Sequence, residues 1–421
     1  MIPARVHLSA GQRPFRAAAQ ARSAAILEDV RTIVNIPSGP GSGDGLERVR
    51  AFFVERLVRL GAEITLVPGS PREHWLSGPA GESDKLPPPT VIARRAIEKA
   101  ASHDDEVRID PIVRGVLLCG HLDTVHAASS PFSALQIAPD GLTATGPGCV
   151  DMKSGLLIAL HALEVLESCG IRVPWTFVLN SDEETGSYHS SVAMETEAAR
   201  GYVAGLVFEP AMADGGLVVS RPGSGQFMIE CSGKAGHVGR DFRSCISAVT
   251  RLGECIVQVA TLADPDRGAI VNIGPLVGGE ATNIVPDYAA AWGNVRFDSE
   301  EVGAELAAQL DSLASRPGEL PGTRIARSFH RPAKPLTPGT EQLALLAQQC
   351  AQAIGQALPF GSTGGVCDGN NLQRAGLATI DTLGARGGGL HTTKEWIEVP
   401  SLVERMELTA TLIASLLAAE R

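Results

Sequence analysis

Apolar residues along this chain recur at two spacings, and the switches between them outline its elements. Residues 23–34 and 45–60 read as helices; in the second, Val49, Phe52, Phe53, Leu57 and Leu60 return at helical spacing and Gly61 supplies the stop. Ile64 to Val67 is a short strand. Val91 to Ala93 and Val116 to Cys119 are further strands, the latter too continuously apolar for a surface position. Asp151 to Cys169 reads as a helix with Leu156, Leu157, Leu160, Leu163 and Leu166 on its buried side. A strand from Trp175 to Leu179, a helix from Ser190 to Ala199 and a strand from Leu206 to Phe208 follow. This alternation predicts an α/β sheet with helices on its faces.

Around Gly215 the texture changes. Gln226 to Cys231, Ala269 to Ile273 and Ala289 to Phe297 read as antiparallel strands, with helices at Phe242 to Leu262 and Glu300 to Ser315. That β-α-β-β-α order suits a small α+β domain with helices on one face. After the Pro-rich stretch Pro332 to Pro338 the α/β pattern resumes and ends in a helix from Ser401 to Ala418. A chain of 421 residues exceeds the size at which one core usually keeps growing. The expected organisation is an α/β domain made of residues 1–215 and 334–421, interrupted by an inserted α+β domain over 216–333. Residues 68–89 form a Pro/Gly-rich loop long enough to imply a role, and 97–112 form a charged excursion. If strands 91–93 and 116–119 pair as a hairpin, the excursion lies at the end opposite His121 and the 68–89 loop at the same end.

Composition removes several function classes. Net charge is −11 and no Lys/Arg cluster is dense enough for a phosphate-binding face, which argues against nucleic acid as a partner. The longest apolar stretches are too short to span a bilayer, so no membrane is expected. The N-terminal region, with Arg5, Arg13, Arg16 and Arg22 among small residues, lacks the apolar run of a secretion signal, and a cytoplasmic location is expected. Eight cysteines carry no close CxxC pair, and several lie inside apolar runs. A disulfide framework or a cysteine-based zinc site is therefore disfavoured, and reduced thiols fit.

Four segments carry the chemistry: Gly120-His121-Leu122-Asp123-Thr124-Val125, Gly146-Pro147-Gly148-Cys149-Val150-Asp151-Met152-Lys153, Ser181-Asp182-Glu183-Glu184-Thr185-Gly186 and Gly389-Leu390-His391. His121 and Asp123, two apart at a strand end, point to the same side; one can bind metal while the other accepts the histidine's remaining N–H. Asp151 could cap a helix, but its two oxygens could also bridge two cations. Glu183 and Glu184 follow a buried strand, where like charges repel unless a cation offsets them; one acid is then a ligand and the other free to take a proton. Glu209 again follows an apolar strand, and His391 stands in a glycine-rich loop. Each signal is weak alone. Ligands of open α/β sheets gather at the carboxyl ends of strands, and four candidates fall there independently. Nitrogen and oxygen donors of this mixture suit two borderline divalent ions, zinc first, with manganese or cobalt as alternatives.

On these motifs the chain resembles the di-zinc exopeptidases and deacylases that include glutamate carboxypeptidase, acetylornithine deacetylase, succinyl-diaminopimelate desuccinylase and aminoacylase. The resemblance runs from Val34-Asn35-Ile36-Pro37-Ser38-Gly39 to the last helix. Gly146-Pro147-Gly148 and Phe208-Glu209-Pro210 look most like the bacterial glutamate carboxypeptidase branch. It implies a mixed-sheet catalytic domain with an inserted lid and dimerisation domain, and two divalent ions per chain. His121, Asp151 and Glu209 would hold one metal, and His391, Asp151 and Glu184 the other. Glu183 would be the general base for attack by metal-bound water, with Asp123 the partner of His121. In Gly236-His237-Val238-Gly239, His237 matches a lid histidine that steadies the oxyanion, supplied across a dimer interface in some relatives. Asn283 matches a lid asparagine that contacts substrate, and Arg296 an arginine that binds a substrate carboxylate, a task suited to a planar fork.

Some positions depart from the family pattern: His126 just past the first motif, Cys367 in place of a small hydroxyl residue, the Arg221-Pro222-Gly223 turn without its usual lysine, and the long 68–89 loop. None is among the implied ligands, and all bear on the substrate. The expected activity is hydrolysis of an amide in a small carboxylate-bearing molecule or peptide by a homodimer joined through its lid. An unusual or aromatic C–N bond is the alternative reaction, and a non-catalytic binding relative the alternative class; the presence of Glu183 and His237 speaks against the latter.

Overall fold

Five successive apolar runs become neighbours in one sheet: β1 (Glu63–Val67), β2 (Thr90–Arg95), β3 (Val116–His121), β4 (Trp175–Asn180) and β5 (Ala204–Val207). A computed structural model describes residues 14–79, 81, 88–96 and 115–418 of the chain. The strand order is β1-β2-β4-β3-β5, closed by Thr379–Ile380 at the far edge. β3 runs parallel to β4 and β5, whereas β2 runs antiparallel to β4 and β1. The sheet is therefore mixed, with a parallel centre.

Side chains of β3 alternate between two cores. Val116 and Leu118 pack with the helices Ser23–Val34, Ser154–Ser168 and Val399–Ala418, while Leu117 and Cys119 pack with Met194 and Leu372 of helices on the opposite side. Burial on both faces explains why β3 reads as a continuous apolar run. The helix Ser154–Ser168 is buried nearly all round, as its uninterrupted leucines require.

The expected hairpin of strands 91–93 and 116–119 does not form, because β4 lies between them. The placement that followed from it survives for a different reason. β2 runs against β4 and β3 with it, so Val91 stands opposite Leu179 while His121 stands opposite Asn180. The chain from β1 to β2 thus turns at the His121 end. The charged 97–112 segment lies outside the described residues.

The second sheet contains β6 (Gly223–Ser232), β7 (Ala269–Gly278), β8 (Tyr288–Phe297) and β9 (Gly322–Arg331) in the order β7-β8-β6-β9, antiparallel throughout. Helices Ala248–Ala260 and Glu300–Asp311 cover one face, against Phe227, Ile229, Ala291 and Val295. Two sequence expectations change here. β9 extends the order to β-α-β-β-α-β; its arginines pair with Glu230 and Asp311 on an exposed edge, a polar pattern that hides a strand. The helix expected from Phe242 begins at Ala248, where the Ser247 hydroxyl accepts the N–H of Thr250.

On the other face of this sheet, Met228, Ala290 and Trp292 pack against Trp75 of the 68–89 loop, and the Trp292 indole donates to the Trp75 carbonyl at 2.7 Å. Leu217–Ser220 still pairs with Phe360–Ser362, and the chain crosses into the second sheet at Arg221 and returns at Lys334. Their backbones exchange two hydrogen bonds of 2.9 Å. Buried Asp381 accepts from both side chains, Arg221 at 2.7 and 3.0 Å and Lys334 at 3.0 Å. The Asn370 amide donates to the carbonyls of Pro222 and Pro332, binding both crossings again. Cys367 finds its role here: its Sγ caps the helix Asp368–Arg374 by accepting the Gly369 N–H, a task a small hydroxyl could also perform. All eight cysteines are unpaired, and among the described residues no helix is long and apolar enough to cross a membrane.

Candidate metal centre

His121 is the last residue of β3, and Glu209 lies just past β5 beside it. The Asp-Glu-Glu turn leaves β4, which flanks β3 on the side away from β5. Its three acids separate in role. Asp182 is turned inward, accepting the His189 N–H and the Ser190 hydroxyl, so it shapes the turn. Asp123 accepts the backbone N–H groups of Glu184 at 3.0 Å and Glu183 at 3.3 Å, pinning the two acids that follow.

Asp151 does not open a helix. Its backbone is extended, the helix starts at Ser154, and its own N–H goes to the carboxylate of Glu395. Gly148 supplies the left-handed turn before it, and a Cβ there would lie 2.4 Å from Thr124. A small antiparallel sheet of Gln136–Ile137, Thr143–Thr145, Trp396–Glu398 and Gly387–Gly388 carries His391 to the same place. Any side chain at Gly387 would meet the Trp396 carbonyl at 2.0 Å, so the glycines permit that close packing. His391 itself has φ 61°, a strained conformation for a residue with a Cβ and one that recurs at functional sites.

The side chains then converge. Asp151 directs Oδ1 to His121 Nε2 at 3.3 Å and Oδ2 to His391 Nε2, also at 3.3 Å. His391 Nε2 is 3.4 Å from Glu184, and His121 Nε2 is 4.0 Å from Glu209. Ligand atoms of His121, Asp151 and Glu184 lie within 4.8 Å of one another. His121 Nδ1 is 3.0 Å from the Asp123 carbonyl oxygen and 3.5 Å from its carboxylate, so the backbone is the nearer acceptor.

The donor set fits a pair of cations. His121 Nε2, Glu184 Oε1 and Glu209 Oε1 are buried without a hydrogen-bond partner, a cost that coordination removes. Burial first, then repulsion from Asp151, Glu183 and Asp123, raises Glu184 to about 9 although His121 opposes it. Glu209 is pushed well up for the same reasons, burial foremost. Asp151 moves the other way: burial would raise it, but hydrogen bonds from the two histidines hold it below the usual carboxylate range. Divalent cations held here would favour the ionised form of these carboxylates.

Glu183 stands apart from the ligand atoms. Arg331, at the end of β9, holds its Oε1 at 2.8 Å and also donates to Ser187. Burial raises the Glu183 pKa and Arg331 opposes that rise. Arg296 and Arg331 flank Ser224 from the two neighbouring strands, and the Arg296 guanidinium donates to the Ser224 hydroxyl. Burial, then the Arg331 charge, presses the Arg296 pKa down; among the described residues no carboxylate pairs with it. His237 and Asn283 meet in a small two-stranded element of the insertion, where Val238 N–H donates to the Asn283 carbonyl. Both are exposed, and neither touches the cluster within this chain.

Three contributors escaped the sequence reading. Arg331 lies on the strand whose pattern was too polar to see. Glu395, four residues past His391, is buried and accepts three backbone N–H groups around Asp151. Lys153 is buried and donates to the Ile33 and Ile36 carbonyls at the end of a helix; burial lowers it to about 7. An acid just after the histidine loop and a lysine two residues past Asp151 were the available signals.

The family model described as Peptidase family M20/M25/M40 matches residues 117–415. Carboxypeptidase G2 of Pseudomonas sp. (strain RS-16) is 26% identical over 406 residues, 93% of this chain and 89% of that protein. A tripeptidase structure from Staphylococcus aureus superposes with TM-score 0.70 at 20% identity, covering 93% of this chain and 97% of the other. A Bacillus subtilis structure described as a dinuclear metal binding peptidase gives TM-score 0.60 at 15% identity, covering 94% and 99%.

Proposed function

This chain belongs to peptidase family M20/M25/M40 and is a metallohydrolase of amide bonds, and we propose that it releases an amine from a small carboxylate-bearing amide or peptide, as a carboxypeptidase or N-acyl amino acid amidohydrolase. The observation that carries this reading is Asp151, whose two oxygens each face a different histidine at 3.3 Å. His121, Asp151 and Glu209 would hold one ion and His391, Asp151 and Glu184 the other, with zinc the natural occupant of such a nitrogen and oxygen set. When bound, such a pair polarises the scissile carbonyl and acidifies water.

The chain's own residues do the rest. Glu183 takes the proton of the attacking water and returns it to the leaving amine. Arg331 opposes the rise that burial gives that glutamate's pKa and aims its carboxylate. Exposed His391 marks the open side of the cluster, where substrate enters. Arg296, cationic and without an acidic partner among the described residues, receives the substrate carboxylate with help from Asn283. His237 steadies the oxyanion and comes from a second copy, so the working unit is a homodimer in the cytoplasm. Exposed apolar Phe242 and Ile284 near His237, and Ile270 and Leu276 on edge strand β7, support an interface through the inserted domain.

A panel of dipeptides, N-acyl amino acids and their carboxamides, assayed with metal titration, tests the proposal. Truncating a buried charged partner costs about 2–5 kcal/mol, so Arg296→Ala should nearly erase kcat/KM on the acids and change the matched carboxamides far less. Equal losses on acid and amide would remove the carboxylate from the reading.

A further inference from the structure

The loop bearing Asp151 and the loop bearing His391 are joined by one buried carboxylate, that of Glu395. Its Oε1 accepts the N–H groups of Val150 at 2.8 Å and Asp151 at 3.0 Å. Its Oε2 accepts the N–H of Gly148 at 2.8 Å and lies 2.7 Å from His126 Nε2. Four donors on two oxygens fill the lone pairs of a carboxylate, which is how this anion tolerates burial. His126 is itself held in place, edge-on to the Phe132 ring at 5.1 Å.

This arrangement has a direct consequence for Asp151. The Asp151 N–H is held by Glu395, and the backbone is extended at this residue. Glu395 also belongs to the turn that carries His391, and its carbonyl accepts the Gly146 N–H at 3.2 Å. One residue therefore sets the spacing of two ligand-bearing loops. Asp123 does the same across the site, through the N–H groups of Glu183 and Glu184.

We propose that Glu395, with His126 as its side-chain donor, is a positioning pair that holds Asp151 and His391 at the spacing two cations require. It rests on the dinuclear reading of the cluster. His126 thereby gains a role that its unusual place in the motif did not reveal.

The test uses the full chain with zinc and cobalt alone. Partners that orient metal ligands are worth about 10–100-fold in metal affinity, so Glu395→Gln should weaken the second ion by that factor in chelator competition. The visible ligand-field spectrum of its cobalt form should change as well. His126→Phe keeps a ring against Phe132 and should shift affinity in the same direction by about tenfold, near the lower end of that range. His126→Gln, which can place a donor near the same point, should restore most of the loss. If Glu395→Gln fails to fold, His126→Phe, which leaves the three backbone donors in place, decides alone. Two ions bound with unchanged affinity and cobalt spectrum in these variants would overturn the positioning pair, whatever happens to thermal stability, and leave the dinuclear reading intact. A wild-type chain that takes up no stoichiometric metal would overturn both.

Discussion

The large α/β domain brings His121, Asp151, Glu184, Glu209 and His391 together from separate segments, whereas the inserted domain leaves His237 and Asn283 exposed and apart from them. The difference follows from how each set is held. The first depends on buried carboxylates, Asp123 and Glu395, that clamp backbone N–H groups inside one core. The second lies on short paired segments at the surface. Arg296 and Arg331 belong to the insertion too, yet they stand at the crossing, where β8 and β9 end beside the large sheet. Of these, Arg331 touches Glu183 within one chain, and Arg296 stands across Ser224 from it.

The largest expected effect separates base from ligand inside the large sheet. Glu183→Gln should lower turnover by up to about 10⁴-fold while two ions per chain remain, since general-base catalysis is worth about 10²–10⁴. Metal analysis of the purified variant decides it: a lost ion would place Glu183 among the ligands.

The crossing comes next. Asp381→Asn strands the buried cations Arg221 and Lys334, and breaking a buried pair in this way costs about 3–5 kcal/mol. Urea unfolding would show it. Burial would raise the Asp381 pKa, but its two partners hold it below the ordinary range. A lowered folded-state pKa gives stability that is present above the unfolded value of about 3.9 and lost as pH falls through the folded value. Asp381→Asn should flatten that acid limb. An unchanged acid limb would mean the pair does not stabilise the crossing.

On the inserted side, His237→Ala should lower kcat by about 10²–10³ with little change in KM, the usual cost of a lost oxyanion donor. Mixing it with Glu183→Ala chains should regain activity if the histidine acts in trans. A change confined to KM would make His237 a binding residue. The smallest effect concerns the contact between Trp75 and the inserted sheet. Trp292→Phe removes one hydrogen bond, about 1 kcal/mol, and should speed hydrogen exchange around Trp75; unaltered exchange would show that the loop is held by other contacts.

Much of this was legible in the chain itself. Long apolar runs marked β3 and β4 as buried strands because burial on both faces leaves little room for polar side chains. His121, Glu183, Glu184 and Glu209 showed themselves by following such strands, and β6 and β8 as apolar runs after the change of texture near Gly215. The resemblance added the inserted residues, though not whether one chain can assemble them. β9 stayed hidden because arginine pairs, not apolar side chains, cover its exposed edge.

Local pattern determined which segments are strands and which acids stand at their ends, since burial imposes a period that neighbours in sequence must share. Tertiary structure alone decided that β4 separates β2 from β3, because pairing between distant strands leaves no trace in either one's periodicity. It also decided that Asp151 leaves the helix and points an oxygen at each histidine. Glu395, 244 residues away, holds that segment through backbone N–H groups that every residue type but proline carries, so no pattern in the chain marks it.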